Sequence, residues 1–213
     1  MSVSTILRKQ FRYSNFNAVL VLIGLNVLVF LLTSLFSDLK IYLALIPVAV
    51  LKEGWWWQPF TYMFVHSGIS HILFNMLGLF FFGTAVEQKM GSKEFLLFYL
   101  LTGTLAGLFS LGVFILTGAL QTILLGASGA VFAVLFAFAV INPQAKIYIW
   151  GIVPVVAPLL VLGYTVIELV SEMIGARGNI AHLTHLAGFG FAALYFPVRH
   201  GVNPIRRLLM ARK

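Results

Sequence analysis

Polar side chains are so sparse along this chain that the informative pattern is where the apolar runs stop. Six runs stand out, at about 18–36, 70–86, 94–116, 127–141, 147–171 and 180–198. A helix needs roughly 20 apolar residues to cross a hydrocarbon core of about 30 Å, and most of these runs approach that length. The fourth falls short. From Ser128 to Ile141 it has no polar side chain after the serine itself, and Asn142-Pro143 then ends it, because proline disfavours helical geometry in the residue before it. About 14 residues at 1.5 Å rise give roughly 21 Å. The shortfall is made up if the apolar connection from Gln121 to Gly126 dips into the membrane, which sets Ser128 below the surface. The expected fold is therefore all-α, a polytopic membrane protein of six transmembrane helices. A segment 1–17 precedes the membrane domain 18–198, and a basic tail 199–213 follows it. Residues 37–69 form a long first connection holding Pro47, Pro59 and Trp55-Trp56-Trp57. It is too apolar for a free loop, and indole prefers the headgroup level, so it is expected to lie on or partly in the outer leaflet.

Composition sharpens this picture. Of 213 residues, 61% are hydrophobic and only 9% charged, against about 25% charged in a globular domain. Cysteine is absent, which excludes disulfides, thiol nucleophiles and thiolate metal sites. A net charge of +8 raises the question of nucleic acid, but the basic residues flank the apolar runs rather than forming a basic face, so membrane topology accounts for them. The first run follows Arg8, Lys9 and Arg12 and lacks a small-residue cleavage site, and so reads as a retained span.

Charge also orients the helices. With the N-terminus in the cytoplasm, the inner side receives Arg8, Lys9, Arg12, Lys89, Lys93, Lys146, Arg199, Arg206, Arg207, Arg212 and Lys213. The outer side receives Lys40, Lys52 and Arg177. This asymmetry satisfies the positive-inside rule and puts both termini in the cytoplasm. Spans two, four and six then all begin at the outer side.

That direction brings the rare polar groups to one depth. His71 and Asn75 lie four apart in the first turns of span two, Ser128 opens span four, and His185 lies about five residues, roughly 8 Å, inside span six. Such groups are costly in hydrocarbon and mark a functional site by default. Small residues show which helices touch. Gly129, Ala133 and Ala137 repeat every four positions in span four, and Gly188 and Ala192 do so in span six. Apposing those stripes brings Ser128 toward His185, the nucleophile and base arrangement of covalent catalysis. The N-terminus of span four favours negative charge, and His71 and Asn75 are placed to complete an oxyanion hole. No carboxylate is placed to orient His185, so the reading is a Ser-His dyad. Glu168 near the outer end of span five is read as a proton-relay or snorkelling group, and Glu87 beside Lys89 as an interfacial ion pair. Asn26 is read as an interhelical hydrogen bond.

Three ordered motifs carry a family resemblance: His66-Ser67-Gly68-Ile69-Ser70-His71-Ile72-Leu73-Phe74-Asn75 continuing to Gly83-Thr84-Ala85-Val86-Glu87, then Gly126-Ala127-Ser128-Gly129, then Ala181-His182-Leu183-Thr184-His185-Leu186-Ala187-Gly188. From about Trp55 to Phe196 the sequence resembles the rhomboid intramembrane serine proteases of the bacterial six-span type. The resemblance implies Ser128 as nucleophile and His185 as general base and acid, with His71, Asn75 and the Ser128 backbone N–H on the oxyanion. It implies that Phe132 stacks on the imidazole, with Gly126, Gly129 and Gly188 in support, and that span five or the loop before it gates entry. The implied partners are transmembrane protein substrates, cut near the outer leaflet, and the lipid bilayer; no nucleic acid, cofactor or metal is implied. The implied location is a bacterial inner membrane. Two departures stand out. Gln58 follows Trp57 where the family often has arginine, leaving the first loop without that anchor, and Ala192 replaces the second glycine of the stripe after His185.

Other readings remain. Ser128 alone is helix-packing glue. His182 and His66 are read as structural; with His71 and His185 they also suggest metal ligands, set aside because no acid is placed among them. A catalytically inactive rhomboid-like protein that binds membrane clients, and a small transporter, are the rival classes.

Overall fold

The computed structural model describes residues 8–9, 11–149, 151–174 and 179–209. Arg177, Arg212 and Lys213 from the charge argument, and the outermost parts of segments 1–17 and 199–213, lie outside the described residues. Six apolar helices follow the six runs in order: α1 (Ala18–Leu35), then, after the first connection, α5 (Ile69–Met90), α6 (Ser92–Thr117), α7 (Ser128–Ile141), α8 (Ala157–Ile174) and α9 (Asn179–Tyr195). Of these, α1, α5 and α6 are long and apolar enough to cross a membrane, while α7 is 14 residues, as its proline stop dictates. A short helix α10 (Pro204–Leu209) follows.

The first connection is folded rather than draped. It contains α2 (Ser37–Leu43), α3 (Pro47–Glu53) and α4 (Gln58–Thr61), the last two each with proline in the first turn, where its missing N–H costs nothing. Its backbone pairs with the connection that leads into α7. Leu45 and Leu124 exchange N–H···O bonds of 2.9 Å, and the Gly126 N–H donates to the Tyr62 carbonyl at 3.0 Å. Gln58, expected to leave this loop poorly anchored, is fully buried and anchors it. Its Oε1 accepts from the Ile46 N–H at 2.9 Å, and its Nε2 donates to the carbonyls of Ile41 and Tyr42 at 3.1 and 3.3 Å. Trp57 adds an Nε1–H bond of 2.9 Å to the same Tyr42 carbonyl and packs against the Tyr42 ring, whereas Trp56 stays exposed.

The fifth run departs from expectation at its start. Residues expected to begin a helix form a two-stranded antiparallel hairpin, β1 (Lys146–Ile149) and β2 (Val153–Val156), and α8 begins only at Ala157. The run is rich in β-branched residues, Gly151 takes the left-handed conformation (φ 73°) in the turn, and Pro154 bars helix propagation. Apolar content alone does not separate these outcomes.

Helix α9 packs against α7, α6 and α8, and α7 also meets α5 and α6. The far end of the bundle from Ser128 is held by carboxylates. Glu87, expected in an ion pair with Lys89, instead accepts from the first two N–H groups of α1, Ala18 at 2.6 Å and Val19 at 2.9 Å, and from the Ser92 hydroxyl. A carboxylate there satisfies orphan donors and meets the positive end of the helix dipole. Glu94 receives a bidentate pair from Arg199, at 2.6 and 2.7 Å, and the Tyr195 hydroxyl at 2.5 Å, tying α6 to the end of α9. Asn26 donates to the Leu22 carbonyl of its own helix at 2.8 Å, and its side chain also meets the Tyr99 hydroxyl of α6, the expected contact across helices.

Removing the amide of Gln58 leaves the Ile46 N–H and two carbonyls without their partner in a buried site. Gln58→Ala is expected to cost about 1–3 kcal/mol, read as a lower melting temperature of the detergent-solubilised protein, with Gln58→Glu no better.

Candidate active site

Ser128 is the first residue of α7, and the backbone turns into it through Gly126 at φ 123°, a conformation that favours glycine. That turn is held by the Gly126–Tyr62 bond, so the first connection fixes the height at which α7 starts. A Cβ at Gly126 would lie 2.8 Å from the Nε2 and Cε1 atoms of His71 and 3.8 Å from Ser128 Oγ. The glycine therefore lets the imidazole of His71 lie directly over the serine turn.

Helix α9 delivers His185. At Gly188 a Cβ would fall inside the van der Waals shell of the Gly129 carbonyl oxygen, so the two backbones touch where a side chain is absent from both. One turn from that contact, His185 Nε2 lies 2.7 Å from Ser128 Oγ. The ring stacks on Phe132, with centroids 4.3 Å apart and planes inclined by 14°, which fixes its plane. The sequence reading expected both contacts.

His71 and Asn75 line the same cavity, of about 580 Å³, together with Ser128, His185, Gly126 and Phe132. Ser67 sets the His71 tautomer. Its backbone N–H reaches His71 Nδ1 at 3.5 Å and its hydroxyl lies 3.0 Å from the same nitrogen, so in the neutral ring the proton resides on Nε2, on the side of Gly126 and Ser128. Asn75 donates from Nδ2 to the His71 carbonyl one turn back at 2.9 Å, which leaves its second N–H for another acceptor. The N-terminal N–H groups of α7 have no intrahelical partner, and they complete a set of donors around Ser128.

One prediction about this site is corrected. A carboxylate does face His185: Glu168 Oε1 on α8 lies 3.0 Å from His185 Nδ1, and its Oε2 meets His182 Nδ1 still more closely. Glu168 is buried rather than snorkelling, and His182 is its partner. The signal lay in the sequence, since Glu168 stands near the outer end of span five, but helix rotation decides whether such a group faces lipid or the bundle. The same finding removes the ground on which a metal site was set aside. Glu168, His182 and His185 each offer a ligand atom, all within 4.8 Å of one another. Their hydrogen bonds form a closed network as they stand, with both carboxylate oxygens and both Nδ1 atoms engaged. His66 is buried edge-on to His71, 5.1 Å between centroids. Burial, and next the neighbouring His71, push its pKa down to about 4.

Comparison with known proteins places this geometry. The model of the Rhomboid domain family matches residues 53–201, the stretch that holds every residue of the site. The chain belongs to the rhomboid family. It is an integral, multi-pass membrane protein of mostly helical rhomboid fold. Among similar rhomboid proteins, "RHOMBOID-like protein 12, mitochondrial" of Arabidopsis thaliana is 33% identical over 159 residues, covering 67% of this chain and 46% of the relative. "Putative rhomboid protease YdcA" of Bacillus subtilis is 36% identical over 80 residues, covering 38% of each. "Rhomboid protease GlpG" of Haemophilus influenzae is 27% identical over 180 residues, covering 84% of this chain and 90% of the relative. The chain thus spans less than half the length of the first two.

Two outcomes test the geometry. Gly188→Ala should force α9 away from α7 and separate His185 from Ser128, so fluorophosphonate labelling of Ser128 should fall by more than about tenfold, while Gly190→Ala, where a Cβ meets nothing within 4 Å, should not change it. Because His66 binds a proton below about 4 when folded but at its ordinary 6.5 when unfolded, the unfolded chain takes up more protons between those values. Stability should then decline as pH falls from 6.5 toward about 4, and His66→Asn should flatten that part of a melting-temperature profile.

Proposed function

We propose that this rhomboid protein is an intramembrane serine endopeptidase, with Ser128 as nucleophile and His185 as general base and acid. The observation that carries the reading is the 2.7 Å contact between Ser128 Oγ and His185 Nε2. Support comes from the donor groups around the serine and from relatives whose printed names are rhomboid protease.

In the proposed reaction, His185 Nε2 takes the proton of Ser128 as Oγ bonds to the scissile carbonyl carbon. The carbonyl oxygen becomes an oxyanion, met by the Ser128 backbone N–H, His71 Nε2–H and the free amide N–H of Asn75. One such donor is typically worth about 3–4 kcal/mol in the transition state. The imidazolium then returns its proton to the departing amine, leaving an acyl ester on Ser128. A water reaching the 580 Å³ cavity repeats the sequence and frees the serine. Phe132 keeps the ring in the plane that serves both proton transfers.

The proposed substrates are transmembrane segments of membrane proteins. A helical peptide bond is closed off by its own hydrogen-bond ladder, so cleavage calls for a segment that unwinds at the depth of Ser128. With the N- and C-termini in the cytoplasm, as the lysine and arginine distribution favours, that depth is in the outer leaflet of a bacterial cell membrane. The corresponding organisation is a cytoplasmic segment 1–17, the membrane domain 18–198 and a cytoplasmic tail 199–213.

Purified protein in liposomes with a single-span substrate tests the proposal. Ser128→Ala and His185→Ala should each reduce cleavage by at least about 10³-fold, and neither should be labelled by a fluorophosphonate. Cleavage by Ser128→Ala at the wild-type rate would show that another nucleophile does the chemistry.

A further inference from the structure

Glu168 stands in an apolar helix, with its side chain 8% exposed, and both of its oxygens face histidines of one other helix. His182 and His185 are three residues apart, so on α9 they share a face. Their Nδ1 atoms take Oε2 and Oε1 respectively. The carboxylate is thereby held at both ends and cannot rotate away from His185 without losing His182.

A neutral imidazole carries one N–H, and a carboxylate only accepts. The 3.0 Å contact with Glu168 therefore puts the His185 proton on Nδ1 and leaves the Nε2 lone pair directed at Ser128, 2.7 Å away. The other tautomer would present an N–H to the serine and could not take its proton. We infer that Glu168 is the positioning residue of this site, completing a Ser128–His185–Glu168 triad in which His182 holds the carboxylate. The inference rests on the serine-protease reading above. During acylation the Ser128 proton passes to Nε2, the Nδ1 proton stays where it is, and the imidazolium is stabilised beside an ionised Glu168; nothing is transferred to the carboxylate. Each of three helices supplies one member, Ser128 from α7, His185 from α9 and Glu168 from α8, so the position of α8 bears on the competence of the base.

A metal held by the same three groups predicts the reverse. Coordination at His185 Nδ1 would leave the ring proton on Nε2 and remove the base.

The test uses the full-length protein in detergent, with fluorophosphonate labelling, which needs no transmembrane substrate, run beside cleavage of a single-span substrate. Glu168→Gln keeps the shape and an acceptor oxygen but not the charge. It should slow labelling and lower kcat by about 10- to 10³-fold, with KM within about twofold and the melting temperature retained. Glu168→Ala should lose at least as much, Glu168→Asp should recover part of it, and His182→Asn should cost only a few-fold (about 2–5). The chelator 1,10-phenanthroline should leave wild-type cleavage unchanged. Glu168 variants that label and cleave at the wild-type rate would overturn the inference while leaving the dyad intact. A raised KM with unchanged kcat would make Glu168 a substrate-binding or packing residue and would also overturn it. So would activity lost to the chelator and restored by zinc. A wild-type protein that neither labels nor cleaves would sink the protease reading itself, and the triad with it.

Discussion

Close approach of α7 and α9 is the constraint from which the rest of this protein follows. Inside a membrane, helices gain nothing from hiding apolar surface from water, because lipid is as apolar as leucine, so association depends on packing and on polar contacts. At Gly188 there is no room for even a methyl group against the Gly129 carbonyl. That contact fixes the distance between the helices beside Ser128 on one and His185 on the other. Ser128 adjoins Gly129 and His185 precedes Gly188 by one turn, so the backbone contact sets the 2.7 Å between their side chains. Ala133 and Ala137, both fully buried, continue the small-residue seam along α7.

Polar groups are few: the hydroxyls of the helices mostly bond back into their own helix, whereas the buried carboxylates and Gln58 act as joints between separate segments. Glu87 joins α5 to the start of α1, Glu94 joins α6 to the end of α9, and Gln58 joins α4 to the backbone leading into α3. A buried carboxylate without partners would cost several kcal/mol, and each of these has several. The joints divide between the two ends of the bundle. Glu87 and Glu94 lock the end away from Ser128, whereas Gln58 and the Leu45–Leu124 pair lock the connection that carries Gly126. The first loop thus bears on the site through side chains, Ser67 against His71 Nδ1 and Tyr62 in the cavity lining, and also through its backbone. It holds the backbone turn that presents the serine.

Around Ser128 the pattern changes from joints to open capacity. His71 has its Nε2–H free to face the serine turn because Ser67 occupies the other nitrogen, and Asn75 keeps one N–H beyond the one it gives to His71. Donors held in place before any charge develops are what a developing oxyanion requires. The Glu168 network is of the other kind, closed on itself with both oxygens engaged.

Much of this was legible in the sequence because a membrane simplifies the code. Apolar runs mark the helices, proline after Asn142 ends α7, and small residues every four positions mark the seam. The scarcity of polar groups let Ser128, His71, Asn75 and His185 be grouped by depth alone, and the structure brings them to one cavity with Phe132 stacked as expected. What the sequence could not supply was rotation and local backbone choice. Depth is linear in residue number, but the face a residue presents depends on how its helix is turned against its neighbours, and so Glu168 was read as a proton-relay or snorkelling group when it faces His185. The same reason separated Glu87 from its true partners on α1. The hairpin at 146–156 and the Gln58 anchor depend on a tight turn and on side-chain contacts 12–17 residues back, which hydropathy does not register. Composition and spacing determined which groups share a level in the membrane; only tertiary packing decided which of them face one another, because direction around a helix axis is set by the partner and not by the chain.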